Sequence, residues 1–183
     1  MINPWSVRHV IVTGDTYLDS RVVPKGAGFK SSQPGIYEIL FHEERKVVMS
    51  SNKMEIDDMK SFIEAAHGNV VIGGLGLGII IKELSEKPSV NSITVIEIDA
   101  DVIDLIQDRF KKSNKVSIIQ GDMRTFDFKN LKNTPDSVYI DIWDNANKDS
   151  YVDRLSVLDY WRQCCNDCHA WALDKSKERY NRP

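Results

Sequence analysis

The chain has 183 residues, with 24 lysines and arginines against 27 aspartates and glutamates, a formal net charge of −3 and a pI near 5.8. That length suits one domain with a sizeable core, and the charge balance lacks the global basic field of a long nucleic-acid footprint. No apolar run reaches the length of a membrane span, no signal-peptide pattern opens the chain, and the three cysteines, Cys164, Cys165 and Cys168, have no secreted-type spacing, so a cytoplasmic setting is expected.

Residues 1–66 read as a β-rich segment followed by a helix. VRHVIV is a strand, and a turn-rich stretch follows through Pro24, Gly26, Gly28, Pro34 and Gly35, carrying Lys25 and Lys30 as possible contacts for an anionic group. GIYEILFH and KVVMS flank the polar turn Glu43-Glu44-Arg45, the pattern of a β-hairpin. IDDMKSFIEAA has the acids of a helix first turn.

From residue 67 to 175 short apolar runs alternate with helical ones: NVVIGG, LGIIIKELSE, SITVIEI, ADVIDLIQDRFKK, KVSIIQ, SVYIDIW, then a helix over DSYVDRLSVLDYWRQCC. Alternation of this kind predicts an α/β fold, a Rossmann-like, doubly wound and mainly parallel sheet with helices on both faces. Residues 176–183, at the end of KSKERYNRP, read as a frayed tail.

Four of the ten glycines, Gly73, Gly74, Gly76 and Gly78, fall between the first of these strands and its helix. Glycine weakens regular structure, so the cluster predicts a sharp turn or a close approach. The spacing G-x-G-x-G at 74–78 does not fit the dinucleotide fingerprint, whose third small position falls on Ile79 or Ile81. It suits a backbone passing beneath a nucleoside that carries no pyrophosphate. Glu97 ends the second strand, where an acid accepts from ribose hydroxyls. Asp99 reads as the cap of the next helix. Asp122, with Met123 beside it, follows the third strand and suits an adenine amino group and ring edge. Together these residues outline one nucleoside site.

The motifs IGGLGLG (72–78), VIEIDADVI (95–103), QGDMRTF (120–126) and IDIWDN (140–145) resemble those of the class I S-adenosylmethionine-dependent methyltransferase fold, closest to the spermidine synthase family. The resemblance implies S-adenosylmethionine or its decarboxylated form as cofactor, held by Gly73, Gly74, Gly76, Gly78, Glu97, Asp122, Met123 and Asp141. Many methyltransferases carry an acid just before the glycine turn, where this chain has Ile72, and Gly76 stands where the synthases place an aspartate. The amino-methyltransferase signature with adjacent prolines is absent. Such a sheet has seven strands; here the residues after the last helix leave strands five to seven without a sequence counterpart.

Methyl or aminopropyl transfer is a displacement at carbon beside a positive sulfur, and a carboxylate placed there can take the proton of the attacking group. Asp141 and Asp144, at the end of the fourth strand, are the catalytic candidates. Trp143 suits either stacking or packing. Cys165, Cys168 and His169 share one face of a helix at metal-ligand spacing, but without a partner knuckle packing is the better reading, and no metal is expected. Two functions stay open: a transferase acting on a small amine or hydroxyl, and a non-catalytic nucleoside-binding or assembly module. Neither a nucleic-acid nor a membrane partner is expected, and the sheet edge left by missing strands points to self-association.

Overall fold

A computed structural model describes residues 3–13, 16–17, 34–144 and 146–181. The loop carrying Lys25 and Lys30 lies outside the described residues. Two sheets are present. The first is antiparallel, with β1 (Trp5–Thr13), β2 (Thr16–Tyr17), β3 (Gly35–His42) and β4 (Lys46–Ser50) in the order β2-β1-β3-β4. The hairpin between β3 and β4 forms as its sequence predicts, with a bulge at Leu40–Phe41.

The second sheet is parallel throughout. It is built from β5 (Gly68–Gly73), β6 (Val90–Glu97), β7 (Val116–Gln120), β8 (Ser137–Ile140) and β9 (Cys168–Ala170), in the order β7-β6-β5-β8-β9. The chain moves outward from β5 to β7, then returns to the other side of β5 as β8. Ligands of doubly wound sheets bind at this switch point, beyond the carboxyl ends of the strands. The strands flanking it are largely apolar, as burial on both faces requires: Val70 to Gly73 and all four residues of β8, Ser137 among them, are buried.

The helices are α1 (Lys53–Ala65), α2 (Ile79–Glu86), α3 (Ala100–Ile106), α4 (Lys148–Trp161) and α5 (Leu173–Tyr180). Asn52 caps α1 by accepting from the Glu55 amide at 3.0 Å, while Glu55 takes the Ser50 amide and hydroxyl at 2.9 and 2.6 Å. Met59 and Phe62 then face a core shared with Ile72 and Tyr139 of the parallel sheet and with Trp5 and Leu40 of the antiparallel one. The two sheets are therefore one packed body on this side. On the other face Val71, Val138 and Ile140 pack against Val157, Leu158 and Trp161 of α4. No helix among the described residues is long and apolar enough to cross a membrane.

Three expectations change. A fifth parallel strand, β9, lies beside β8, so the sheet does not stop at four. Cys168 and His169 belong to that strand and Cys165 precedes it, so the helical cysteine-histidine face does not form. Residues 173–180 are helix α5, not a frayed tail.

Gly78, the residue before α2, has φ of 75°, and a Cβ there would lie 2.5 Å from the Phe110 ring. Gly78→Ala should cost about 1–3 kcal/mol from left-handed strain plus overpacking, read by urea denaturation. Combining it with Phe110→Leu should cost less than the sum of the two single changes; strict additivity would show that the ring contact is not the cause.

Candidate functional site

The carboxyl ends of β5, β6 and β8 open into a cavity of about 370 Å³. Gly74, Gly76, Glu97, Asp122, Met123, Asp141 and Asp144 all line it, drawn together from the four motifs. Gly73 and Gly78 are outside the lining; Gly73 lies against the Met123 side chain, and Gly78 opens α2 against Phe110. Gly74 is held more tightly. A Cβ there would be 2.2 Å from the Asp141 carbonyl oxygen, because the Asp141 amide donates to Gly73 O at 2.8 Å and draws the two strand ends together.

Glu97 is 8% exposed and ties the glycine turn to β6. One oxygen accepts from the Leu75 amide at 2.7 Å and the other from the Asp99 amide at 2.9 Å. Each carboxylate oxygen keeps a second acceptor site. Asp99 caps α3 as expected, accepting from the Asp101 amide, and its other oxygen takes the Trp5 indole N–H at 2.7 Å. Strand β1 of the small sheet is thereby bonded to the rim of the cavity. Asp122 accepts from the Arg124 amide at 2.9 Å, and the Met123 carbonyl accepts from the Trp161 indole at 2.9 Å.

The two aspartates after β8 differ sharply. Asp144 is about half exposed and pairs with Arg45 of the β3–β4 turn at 2.5 Å, so it bridges the cavity rim. The Asp141 carboxylate is half-buried and accepts no hydrogen bond among the described residues. Burial, with Glu55, Asp58 and Asp144 nearby, pushes its pKa up to about 7 against the opposing pull of Arg154.

Several residues in the cavity wall or packed behind it carry no sequence signal. Arg154 on α4 is fully buried; its Nε donates to Trp171 O at 2.8 Å and its Nη1 to Ser150 O at 3.1 Å, while the guanidinium lies 4.6 Å from the Trp143 ring centre and 5.5 Å from that of Trp171. Trp143 also donates to Asp153 at 2.6 Å, which makes it a packed wall. Tyr139 is 4% exposed, and its hydroxyl has no partner among the described residues. Asp58 and Lys175 form a 2.6 Å ion pair at one end of the cavity.

The model of the family described as "Ribosomal RNA adenine dimethylase" matches residues 52–158, from the cap of α1 to α4. The chain belongs to this family. Two relatives, both "Ribosomal RNA small subunit methyltransferase A" from Clostridium botulinum, are 32% identical over 112 residues (strain Kyoto / Type A2) and 28% over 103 residues (strain Loch Maree / Type A3). These alignments cover 59% and 56% of this chain and 38% and 37% of the relatives, so the chain spans well under half of their length. Among solved structures, a dimethyladenosine transferase from Plasmodium falciparum matches with a TM-score of 0.41 at 20% identity, covering 50% of this chain and 32% of that one. The N-methyltransferase NodS from Bradyrhizobium japonicum WM9 matches with a TM-score of 0.47 at 14% identity, covering 62% and 61%.

Membership of the adenine dimethylase family keeps the methyltransferase fold and replaces the expected closeness to spermidine synthases. It also overturns the expected small-molecule acceptor and the exclusion of nucleic acid, since the matched relatives are named for ribosomal RNA. Net charge misled here because it sums the whole chain and says nothing of a local contact surface.

A carboxyl group whose pKa is raised on folding favours the fold in its protonated form. Asp141 therefore supports stability below about pH 4, its ordinary range, and that support is lost as pH rises towards 7. Asp141→Asn should gain stability relative to the unsubstituted chain as pH rises from 4 to 7, with a constant difference above that. Urea midpoints at pH 4.5, 6 and 8 test this; a difference independent of pH would mean that the carboxyl is not desolvated.

Proposed function

We propose that the chain is an S-adenosylmethionine-dependent methyltransferase directed to an adenine amino nitrogen of RNA. The observation that carries this reading is that the family match over residues 52–158 contains every acid lining the cavity. The decarboxylated cofactor loses its support with the synthase resemblance.

The residues fit the cofactor. Gly74 and Gly76 expose backbone to the cavity, and Glu97 has acceptor capacity left for two ribose hydroxyls. Asp122 and the Met123 amide offer an acceptor and a donor for an adenine edge. Asp141, with Glu55 and Asp58 nearby, supplies negative potential for a sulfonium. When bound, the cofactor supplies a methyl carbon made electrophilic by the adjacent positive sulfur.

Asp141 is the residue suited to the proton. It accepts a hydrogen bond from the acceptor N–H, aligns the nitrogen lone pair and takes the proton as the new carbon–nitrogen bond forms. A pKa of about 7 suits that work near neutral pH, where the carboxylate is partly ionised and still basic. Arg154 holds the wall behind it and prevents the pKa from rising further. Asp144 serves the acceptor side, through its bridge to Arg45. Arg45 and Arg124 both line the cavity and carry the charge that RNA phosphates require.

Labelled methyl transfer from S-adenosylmethionine to small-subunit ribosomal RNA tests the proposal. Turnover should rise with pH and level off above about 7, and Asp141→Asn should lower it about 10²–10⁴-fold, the range for a positioned base. A chain that binds the cofactor but labels no RNA would sink the acceptor assignment.

A further inference from the structure

Two arginines line the cavity, and they differ in what their guanidinium groups have left to offer. Arg124 is filled by acids: its Nε and Nη2 donate to Asp153, the shortest bond being 2.9 Å, and its Nη1 lies 3.8 Å from Asp122. Arg45 gives a single side-chain hydrogen bond, from Nη2 to Asp144 at 2.5 Å, and its Nε and Nη1 meet no acceptor among the described residues. A guanidinium is a planar fork of five donors that suits an anion with two oxygens. Most of the Arg45 fork is unused, and its side chain is 44% exposed.

The fork is also held in place. Its central carbon lies 4.9 Å from the centre of the Trp5 ring, and Trp5 is fixed by its 2.7 Å bond to Asp99 and by the His42 ring 4.6 Å away. His42 Nδ1 accepts from the Glu44 and Arg45 amides, each at 3.2 Å, which closes the turn on which Arg45 stands. Glu43 of the same turn is engaged by Arg8 at 3.3 Å. Trp5, His42 and Arg45 all precede the family match, which begins at residue 52. The small sheet thus brings to the rim a positioned cation from outside the matched region.

We propose that Arg45 is a specificity residue for RNA: it grips the phosphodiester beside the target adenosine by exchanging Asp144 for the phosphate, and the exchange releases Asp144 to the acceptor side. The assignment rests on the RNA reading above. An ion pair this open to water is weakly held, so a better partner can replace it. A phosphodiester is such a partner, since it presents two oxygens to the fork where Asp144 offers one. It brings its own negative charge, so Arg45 stays neutralised while Asp144 is left free. Asp144 acts electrostatically on Asp141, and without its cation it adds to the negative potential around a nitrogen that is losing a proton. Docking of the RNA and readiness of the site are then one event.

Equilibrium binding of small-subunit ribosomal RNA to the full chain, measured over a range of salt concentrations, tests this. Arg45→Gln should weaken binding about tenfold, the scale of one lost bond to a charged group. It should also flatten the slope of log affinity against log salt by about 0.7–0.9, the equivalent of one phosphate contact. Asp144→Asn breaks the same ion pair but frees the fork, so it should bind the RNA as tightly as the unsubstituted chain or more tightly. Both variants lose the same bridge, so the contrast between them separates lost recognition from lost fold. Arg45→Lys, which keeps the charge without the fork, should keep the salt slope and recover only part of the affinity. Equal weakening by Arg45→Gln and Asp144→Asn, or an unchanged salt slope in Arg45→Gln, overturns the exchange alone. An unsubstituted chain that binds no RNA overturns the RNA reading and the exchange with it.

Discussion

A buried arginine holds this site together. Arg154 has no exposed surface, and removing a guanidinium from water is costly unless its donors are bonded and a counter-charge is near. Its hydrogen bonds run to the carbonyl of Trp171, just past β9, and to the first turn of α4, while its flat faces meet Trp143 and Trp171. One side chain thus fixes the loop after β8, the exit of β9 and the start of α4 relative to one another. Its charge also opposes the acids around Asp141 and Asp153. Without it, the wall of the cavity and the protonation of its central carboxylate would both change.

Around that cation the protein gathers more acid than it neutralises. Glu55, Asp58 and Asp144 all act on Asp141, Asp58 acts on Glu55 as well, and burial raises the pKa values of Glu55 and Asp141. Such an arrangement gives the cavity a negative potential that favours a cationic ligand. The paired acids have structural duties as well: Glu55 closes the cap of α1, Glu97 clamps the glycine turn and Asp99 caps α3. The cavity is therefore assembled from the same hydrogen bonds that end the strands and start the helices.

The parallel core was legible because its strands are continuous β-branched runs and its turn carries glycines that a side chain would obstruct. The cluster of Gly74, Gly76, Glu97, Asp122, Met123 and Asp141 was legible for a related reason, since each lies at or just past the end of a strand whose place in a doubly wound sheet is fixed. Strand β9 was not legible. Cys168-His169-Ala170 has no strand periodicity, and its conformation comes from pairing with Val138 to Ile140, an interaction made only in the folded chain. Helix α5 was hidden because Ala172 makes the left-handed turn before it, with φ of 52°, where a sequence reader looks for glycine. Asp58 and Lys175 stand 117 positions apart, and the orphaned hydroxyl of Tyr139 depends on what surrounds it rather than on what it is. The kind of acceptor was not legible either, because the four motifs form the cofactor side of the cavity, and net charge sums the whole chain without resolving a local contact surface.

The distribution of indoles gives the protein a gauge of its own. Three of its four tryptophans, Trp5, Trp143 and Trp171, stand in the cavity wall, one on the small sheet, one after β8 and one after β9. The fourth, Trp161, is sealed between α4 and the opposite face of the sheet. A molecule entering the cavity meets the first three indoles directly, whereas the fourth touches the lining only through its hydrogen bond to the Met123 carbonyl. The intrinsic emission of the chain should therefore report occupancy chiefly through the three wall indoles, with no label attached.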